Sequence, residues 1–278
     1  MRALFFLLTV ITTGCNHLFY YPQKELFFPP EKMGLTYRAE KLKTQDNVNI
    51  VAWVFPTNQK KVKGTVLQFH GNAENMSSHY LSVMWLIKQG YNLVTFDYRG
   101  YGSSEGKPSP KGTYFDGLSA LELAWNTHKN SLNKNPQAKF VVIGMSLGGT
   151  IAMRSLMDFK HIGDVSMLVF DSSFYSYRRV ANSVVRKTLI GTIISPLTWV
   201  LISDEYSGKN FLKTTTLPVL VVHDQSDPVV PLENGLQTYS LIKSKKEIWQ
   251  PNLGRHTGTF ADDQSEWRKK LLSHIESL

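Results

Sequence analysis

Short apolar runs alternate with helix-patterned segments along most of the chain, and this alternation constrains the fold more than any other feature. Runs that predict buried strands lie at 64–70, 92–100, 139–146, 165–173 and 217–223. Segments between them, such as 76–89, place apolar side chains at helical spacing. Strands that are apolar on both faces and joined by helices are typical of a mostly parallel sheet covered on both sides. The sequence therefore predicts an α/β fold.

One interval interrupts the alternation. Residues 174–212 stand between two predicted strands and contain two helix-like stretches. Because the strand–helix pattern resumes afterwards, the interval indicates a small helical cap inserted into one domain rather than a second domain. We expect an α/β domain over residues 41–278, with the cap at about 174–212, and a linker over residues 15–40.

The N-terminus has the layout of an export signal. The segment MRALFFLLTVITTGC carries one early arginine, an apolar stretch from Ala3 to Ile11 and small residues up to Cys15. The apolar stretch is too short to span a bilayer. Cys15, which is the only cysteine, resembles the lipid-attachment residue of a bacterial lipoprotein. This resemblance implies a signal peptide over residues 1–14, export, and an anchor in a membrane of the cell envelope. The alternatives are an uncleaved anchor and an ordinary signal with an incidental cysteine.

Composition and charge argue against several classes of protein. Lysine and arginine exceed aspartate and glutamate by 31 to 22, for a formal net charge of +9, but the basic residues are dispersed. A dispersed surplus describes a basic surface rather than a nucleic-acid-binding tract, so we expect no nucleic-acid partner. The single cysteine excludes an internal disulfide. The sequence contains no His-Glu-x-x-His motif and no cysteine pair, so we expect no metal and no cofactor.

The motif Gly-x-Ser-x-Gly around Ser146 is the first candidate for chemistry. A chain with this glycine and serine content would contain such a pattern by chance with a probability on the order of one in ten. Its position at the end of a buried strand, directly before a helical segment, is the context that a nucleophilic serine requires. The alternative is a tight strand-to-helix turn that needs small residues.

Two later loops carry residues suited to activate this serine. Asp227 follows the strand at 218–223, and His256 lies in the loop GRHTG before the C-terminal helix. A serine hydroxyl is a poor nucleophile unless a base takes its proton, and that base needs an orienting acid. All three residues fall at strand ends on one edge of the predicted sheet, so we predict a Ser146–His256–Asp227 triad.

Other residues compete for these roles. Asp224 and Asp171 also lie at strand ends, and either could supply the acid. Asp227 itself could be a turn residue before a proline, and His256 could be a solvated loop histidine. We interpret His223 as a structural residue at a strand end.

Two backbone N–H groups are candidates to stabilise an oxyanion. The N–H of Leu147 begins a helix, where such groups have no partner within the helix. The second candidate is the N–H of Asn72 in the loop HGNAEN, where Gly71 allows a close backbone approach. A glycine turn without a ligand is the alternative, and we interpret His70 as a brace for this loop.

Five segments together resemble the α/β-hydrolase superfamily: FHGNAENMSSHY, FDYRGYGSSEGKPS, GMSLGG, HDQSDPVVP and GRHTG. The order Ser, Asp, His along the chain is that of this superfamily. Within it, the segments are similar to a branch that includes depalmitoylase-like serine hydrolases. The resemblance covers roughly residues 45–278 outside the cap. It implies an α/β-hydrolase fold with Ser146 as nucleophile, His256 as base and Asp227 as its orienting acid.

Three functions remain open from the sequence. The first is an esterase or thioesterase that acts on a small-molecule or lipid acyl substrate, with the apolar stretch at 190–202 lining an acyl pocket or contacting lipid. The second is a serine aminopeptidase, which would need acidic residues in the cap, where Asp204 and Glu205 are the candidates. The third is a membrane-attached binding protein without activity. Oligomeric state is not predicted.

Overall fold

The apolar runs of the sequence form the strands of one sheet. The computed structural model describes residues 16–278. The strands are β1 (Tyr21–Pro22), β2 (Arg38–Lys43), β3 (Asn49–Phe55), β4 (Gly64–Phe69), β5 (Ala73–Glu74), β6 (Tyr91–Phe96), β7 (Lys139–Met145), β8 (Met167–Asp171), β9 (Val219–Val222) and β10 (Lys246–Trp249). Eight of them pair in the order β10-β9-β8-β7-β4-β6-β3-β2. All pairs are parallel except those that β3 makes with β2 and β6.

Helices cover both faces of this sheet. They are α1 (Met76–His79), α2 (Trp85–Lys88), α3 (Pro110–Lys134), α4 (Leu147–Leu156), α5 (Tyr177–Val185), α6 (Leu189–Ile194), α7 (Thr198–Leu201), α8 (Lys209–Thr214), α9 (Leu232–Leu241) and α10 (Glu266–Glu276). Alternate residues of each strand point to opposite faces. Val142 of β7 therefore packs with α3 and α4, whereas its neighbour Val141 packs in a second apolar cluster with α2 and α10. The predicted parallel α/β sheet is confirmed.

Two helices differ from the pattern in the sequence. The helix expected at 76–89 is divided into α1, a short 3-10 turn and α2. The helix α3 spans 25 residues, whereas the sequence shows clear helical patterning only over residues 118–126. It begins at Pro110, and the side chain of Ser109 accepts a hydrogen bond from the N–H of Gly112. Proline suits the first helical position because that position's N–H has no partner within the helix.

The segment expected to be a linker over residues 15–40 packs onto the domain across its described part. Tyr20 is buried, and its hydroxyl is 3.1 Å from the Tyr177 hydroxyl and 3.2 Å from Thr113 Oγ1. The strand β1 pairs with β5, and β5 directly follows Asn72 in the chain. Burial of its aromatic side chains stabilises the packing of this segment against the domain. Cys15 lies outside the described residues.

The interval at 174–212 forms the helices α5, α6, α7 and α8, which follow the carboxyl end of β8. Ligands of parallel sheets bind at this edge, so the cap stands over the edge where chemistry is expected. Within residues 16–278, no helix has the length and apolar character needed to cross a bilayer.

Candidate active site

Ser146 occupies a sharp turn between β7 and α4. Its backbone φ of 51° and ψ of −122° lie in a region that L-residues rarely adopt. The turn is held by a 2.8 Å hydrogen bond from the N–H of Ser146 to the carbonyl of Asp171. Gly144, two residues before Ser146, is a glycine because of close packing. A Cβ at this position would lie 2.5 Å from the Cα of Gly149. The motif is therefore a strained turn that presents one hydroxyl.

His256 connects Ser146 to Asp227. Its Nε2 lies 2.8 Å from Ser146 Oγ, and its Nδ1 lies 2.8 Å from Asp227 Oδ2. These distances correspond to two well-formed hydrogen bonds. A neutral imidazole can accept from the serine hydroxyl at Nε2 only if Nδ1 carries its proton, and the adjacent carboxylate favours that tautomer. The structure thus brings the three predicted residues into one hydrogen-bonded series.

The carboxylate of Asp227 is held in its ionised form. Its Oδ1 accepts hydrogen bonds from the N–H groups of Val229 and Val230, at 2.8 and 2.9 Å. Burial by itself would raise the pKa of Asp227, but the hydrogen bond to His256 and these amides lower the pKa below its usual value. A charged acid in this position stabilises the imidazolium that forms when His256 takes a proton.

The competing acid Asp224 holds two loops of the site together. Its carboxylate accepts hydrogen bonds from the N–H groups of Leu253 and Gly254, at 2.6 and 3.2 Å, and from Ser226 at 2.8 Å. It therefore ties the loop that carries Asp227 to the loop that carries His256. The sequence did not reveal this role, because it depends on backbone groups about thirty residues away.

His223 is buried beside the site. Its Nε2 lies 2.9 Å from the carbonyl of Val230 and 3.8 Å from Asp227 Oδ2. Burial lowers its pKa, so the ring is neutral near pH 7. Its backbone N–H donates to the carbonyl of Trp249 in the neighbouring strand. These contacts agree with a structural role.

Asp171 is a second buried carboxyl group close to Asp227. It ends β8, and its residue is 1% exposed. Burial, and next the charge of Asp227, raise its pKa to about 7. Because His256 forms its hydrogen bond with Asp227, Asp171 is not the orienting acid in this arrangement.

The two candidate oxyanion donors lie beside the serine. Leu147 is the first residue of α4, and Asn72 lines the same cavity as Ser146. The Asn72 side-chain oxygen accepts from the N–H of Tyr21 at 2.9 Å and from the hydroxyl of Tyr101 at 3.1 Å. These bonds fasten the loop through its side chain, so the N–H of Asn72 is not needed for that purpose.

A cavity of about 730 Å³ opens at Ser146 and His256. Apolar side chains from the cap and from the N-terminal segment form most of its wall, including Leu18, Phe19, Phe174, Val180, Leu197 and Leu201. Across the described part of the chain, no aspartate or glutamate lines it. The sequence does not indicate that residues 18–21 contribute to the cavity wall, because an aromatic loop carries no local pattern that shows where it packs.

His79 also lines this cavity, although its position in a helix-patterned segment of the sequence indicates only a structural residue. Its Nε2 lies 3.0 Å from the carbonyl of Ala73, and burial lowers its pKa. In the region covered by residues 16–278, no group of three or more His, Cys, Asp or Glu side chains is arranged to hold a metal ion.

The raised pKa of Asp171 predicts a pH-dependent stability. An unfolded aspartate has a pKa of about 3.9, so between about pH 4 and pH 7 the folded chain keeps a proton that the unfolded chain has lost. This group's contribution to stability therefore falls as the pH rises through that window. Asp171→Asn cannot ionise, so its melting temperature relative to the native chain should be higher at pH 8 than at pH 5. An offset that is the same at both pH values in thermal melts would contradict this assignment.

Comparison with known proteins places the chain in a family. The Hydrolase_4 family, described as serine aminopeptidase S33, matches residues 60–203, which are 144 of the 278 residues. The uncharacterized protein YfhR of Escherichia coli K12 is 30% identical over 94% of this chain and 87% of its own. Protein bem46 of Schizosaccharomyces pombe is 29% identical over 78% of this chain and 70% of its own.

A solved structure shows the same architecture. The Pyrococcus furiosus esterase Pf2001 superposes with a TM-score of 0.69 at 20% identity, over 92% of this chain and 98% of that one. At this identity the likeness concerns the fold. Together with the sheet order, it confirms the predicted α/β-hydrolase fold. The chain belongs to the Hydrolase_4, or serine aminopeptidase S33, family of α/β-hydrolases.

Proposed function

We propose that this protein is a membrane-anchored serine hydrolase that cleaves carboxylic esters or thioesters through an acyl-enzyme. The observation that carries the proposal is the hydrogen-bonded series Ser146–His256–Asp227 at the mouth of a large apolar cavity. The series provides an activated nucleophile, and the cavity offers space for an apolar acyl chain.

The first half of the reaction forms the acyl-enzyme. Ser146 Oγ attacks the carbonyl carbon of the substrate while His256 Nε2 takes the hydroxyl proton. The negative charge that develops on the carbonyl oxygen is stabilised by the N–H groups of Leu147 and Asn72. The intermediate then collapses, the bond to the alcohol or thiol breaks, and His256 donates its proton to the leaving group.

The second half releases the acid. A water molecule takes the place of the leaving group and gives a proton to His256 as its oxygen attacks the acyl carbon. The same two N–H groups stabilise the second oxyanion, and His256 returns the proton to Ser146 Oγ. Asp227 stays ionised throughout and holds the imidazole in its productive tautomer.

An acyl substrate fits the cavity better than a peptide amino terminus. An aminopeptidase needs an acid to bind the substrate ammonium group, and within residues 16–278 the cavity wall has none. Asp204, the candidate acid of the cap, instead accepts hydrogen bonds from Ser176 Oγ at 2.5 Å and from the N–H of Arg178 at 3.2 Å. An intact hydrogen-bonded series also argues against a binding protein that has lost its activity.

The first experiment measures turnover of nitrophenyl esters of increasing acyl length by the full chain in detergent. Ser146→Ala should lose ~10³-fold or more of kcat, and Asp227→Asn on the order of 10³–10⁴-fold. Ser131→Ala is the matched control, because Ser131 is buried on α3 and does not line the cavity. Ester turnover that persists in Ser146→Ala would contradict the proposal, and faster Ser146-dependent turnover of aminoacyl anilides would replace it with an aminopeptidase.

A second experiment tests the acyl pocket. Ala181 lines the cavity and lies on α5, away from the hydrogen-bonded series. Ala181→Phe should fill part of the space and lower kcat/KM for dodecanoyl to hexadecanoyl esters about tenfold, since each displaced CH₂ is worth about 0.8 kcal/mol. Acetyl and butyryl esters should change little. Met157→Phe, an exposed position outside the cavity, is the control. An equal loss on all esters would show that the cavity does not hold the acyl chain.

A third experiment tests the proposed anchor and export. The sequence up to Cys15 supports a lipoprotein whose mature chain begins at that cysteine. We expect the chain extracted from the cell envelope to have the intact mass of residues 15–278 plus a diacylglyceryl group. Cys15→Ser should yield a chain without this added mass. A native chain that begins at Met1 and carries no lipid would contradict the anchor.

A further inference from the structure

The cap has apolar side chains on two opposite sides. Leu197 and Leu201 line the cavity. Ile190, Ile193 and Val200 do not line it, and they are 74%, 74% and 63% exposed. A helical segment that is apolar all round is normally buried in protein or in lipid. Large exposed apolar patches mark sites of interaction with proteins or membranes.

The outer apolar face is made by residues 189, 190, 193 and 200, which we call the cap face. Leu189 is its most exposed member, at 83%. Leu189 and Ile190 lie four and three residues before Ile193, so these three side chains share one side of α6, and Val200 follows on α7. The described structure therefore leaves a cluster of large aliphatic side chains in solvent beside the entrance to the cavity.

The charges around the cap face indicate the chemical class of partner that it binds. Residues 172–203 contain four basic residues and no aspartate or glutamate. Arg186 is exposed and lies three positions before Leu189. Lys187 donates hydrogen bonds to the carbonyls of Pro228 and Val229, at 2.8 and 3.3 Å, and so holds the cap to the loop that follows Asp227. Aliphatic side chains flanked by basic ones are the combination that binds an anionic lipid surface.

The N-terminal segment also contributes to the wall of the cavity. Leu18 and Tyr21 line the cavity and are 56% and 61% exposed, and Val229, which also lines it, is 51% exposed. The described chain begins at Asn16, two residues before Leu18. The proposed anchor at Cys15 is three positions before Leu18 in the sequence, so it would hold the rim and the cap face near the membrane.

We propose that the cap face docks on the surface of an anionic lipid bilayer, so that the cavity opens toward the membrane. The aliphatic side chains enter the boundary between headgroups and acyl chains, and Arg186 lies among the anionic headgroups. The consequence for catalysis rests on the proposed function: a long-chain acyl substrate would pass from the bilayer into the cavity without crossing water.

A second copy of the chain fits the cap face less well. A symmetric contact would place two identical basic caps against each other. Juxtaposed like charges disfavour such a contact. An anionic bilayer satisfies both the apolar side chains and the cations of the cap.

The absence of other cysteines allows a direct test with the full chain. On a Cys15→Ser background, Ile193→Cys places one thiol on the cap face and Met157→Cys places one at the other end of α4, about 15 Å from Ser146. Each thiol carries an environment-sensitive fluorophore, and the chain is mixed with phosphatidylcholine vesicles that contain or lack phosphatidylglycerol. Quenching by spin-labelled lipid should be at least about twofold stronger at residue 193 than at residue 157. Phosphatidylglycerol should increase this difference.

Three results would overturn the docking proposal. The label at residue 193 could remain unquenched in anionic vesicles. The two labels could be quenched equally, which would indicate non-specific adsorption. The label at residue 193 could instead respond to protein concentration without vesicles, which would identify a second copy as the partner. None of these readouts requires turnover, so failure of the hydrolase proposal would leave this test intact.

The consequence for catalysis has its own test. Ile190→Ser combined with Ile193→Ser should lower turnover of a long-chain ester embedded in anionic vesicles by about tenfold or more, since the polar side chains lose the favourable transfer of isoleucine from water into the bilayer. Turnover of a water-soluble butyryl ester should not change. Leu236→Ser, at an exposed leucine of α9, is the control. An equal loss on both substrates would mean that the cap face only supports the fold, and no loss on either would show that docking is not needed.

Discussion

The strained backbone of Ser146 is the constraint on which the rest of the site depends. A residue with positive φ at a strand end persists only when its surroundings hold it there, and here the carbonyl of Asp171 and the close packing of Gly144 against α4 do so. The turn directs Oγ toward His256 and leaves the N–H of Leu147 at the start of a helix. A nucleophile and an oxyanion donor therefore arise from the same local geometry.

The other members of the site are held by contacts both within their loops and between them. Asp227 depends on the amides of Val229 and Val230, while Asp224 joins its loop to the one that carries His256. Hydrogen bonds to buried carboxylates are strong because the local dielectric is low. They keep the imidazole in place although His256 belongs to a loop at the rim of the cavity.

Much of this arrangement could be predicted from the sequence. Buried strands were recognisable because both of their faces are apolar, and the glycines around Ser146 marked a turn where Cβ atoms do not fit. The edge strand β2 was missed because its sequence, RAEKLK, is largely polar. The extent of α3 was underestimated because its amino-terminal part reads as a loop until Pro110 is recognised as its first residue. The bracing role of Asp224 depends on partners that no local pattern encodes.

The sequence by itself determined the α/β class, the order of the strands along the chain and the three residue types that could form a catalytic series. Those features follow from local periodicity and from glycines that permit close approach. Only the tertiary structure decided which acid meets His256, since Asp171, Asp224 and Asp227 all lie at strand ends and differ only in where their oxygens point. It also decided that the N-terminal aromatic segment walls the cavity and that the cap keeps a second apolar face outward. Such outcomes depend on packing between segments far apart in the chain.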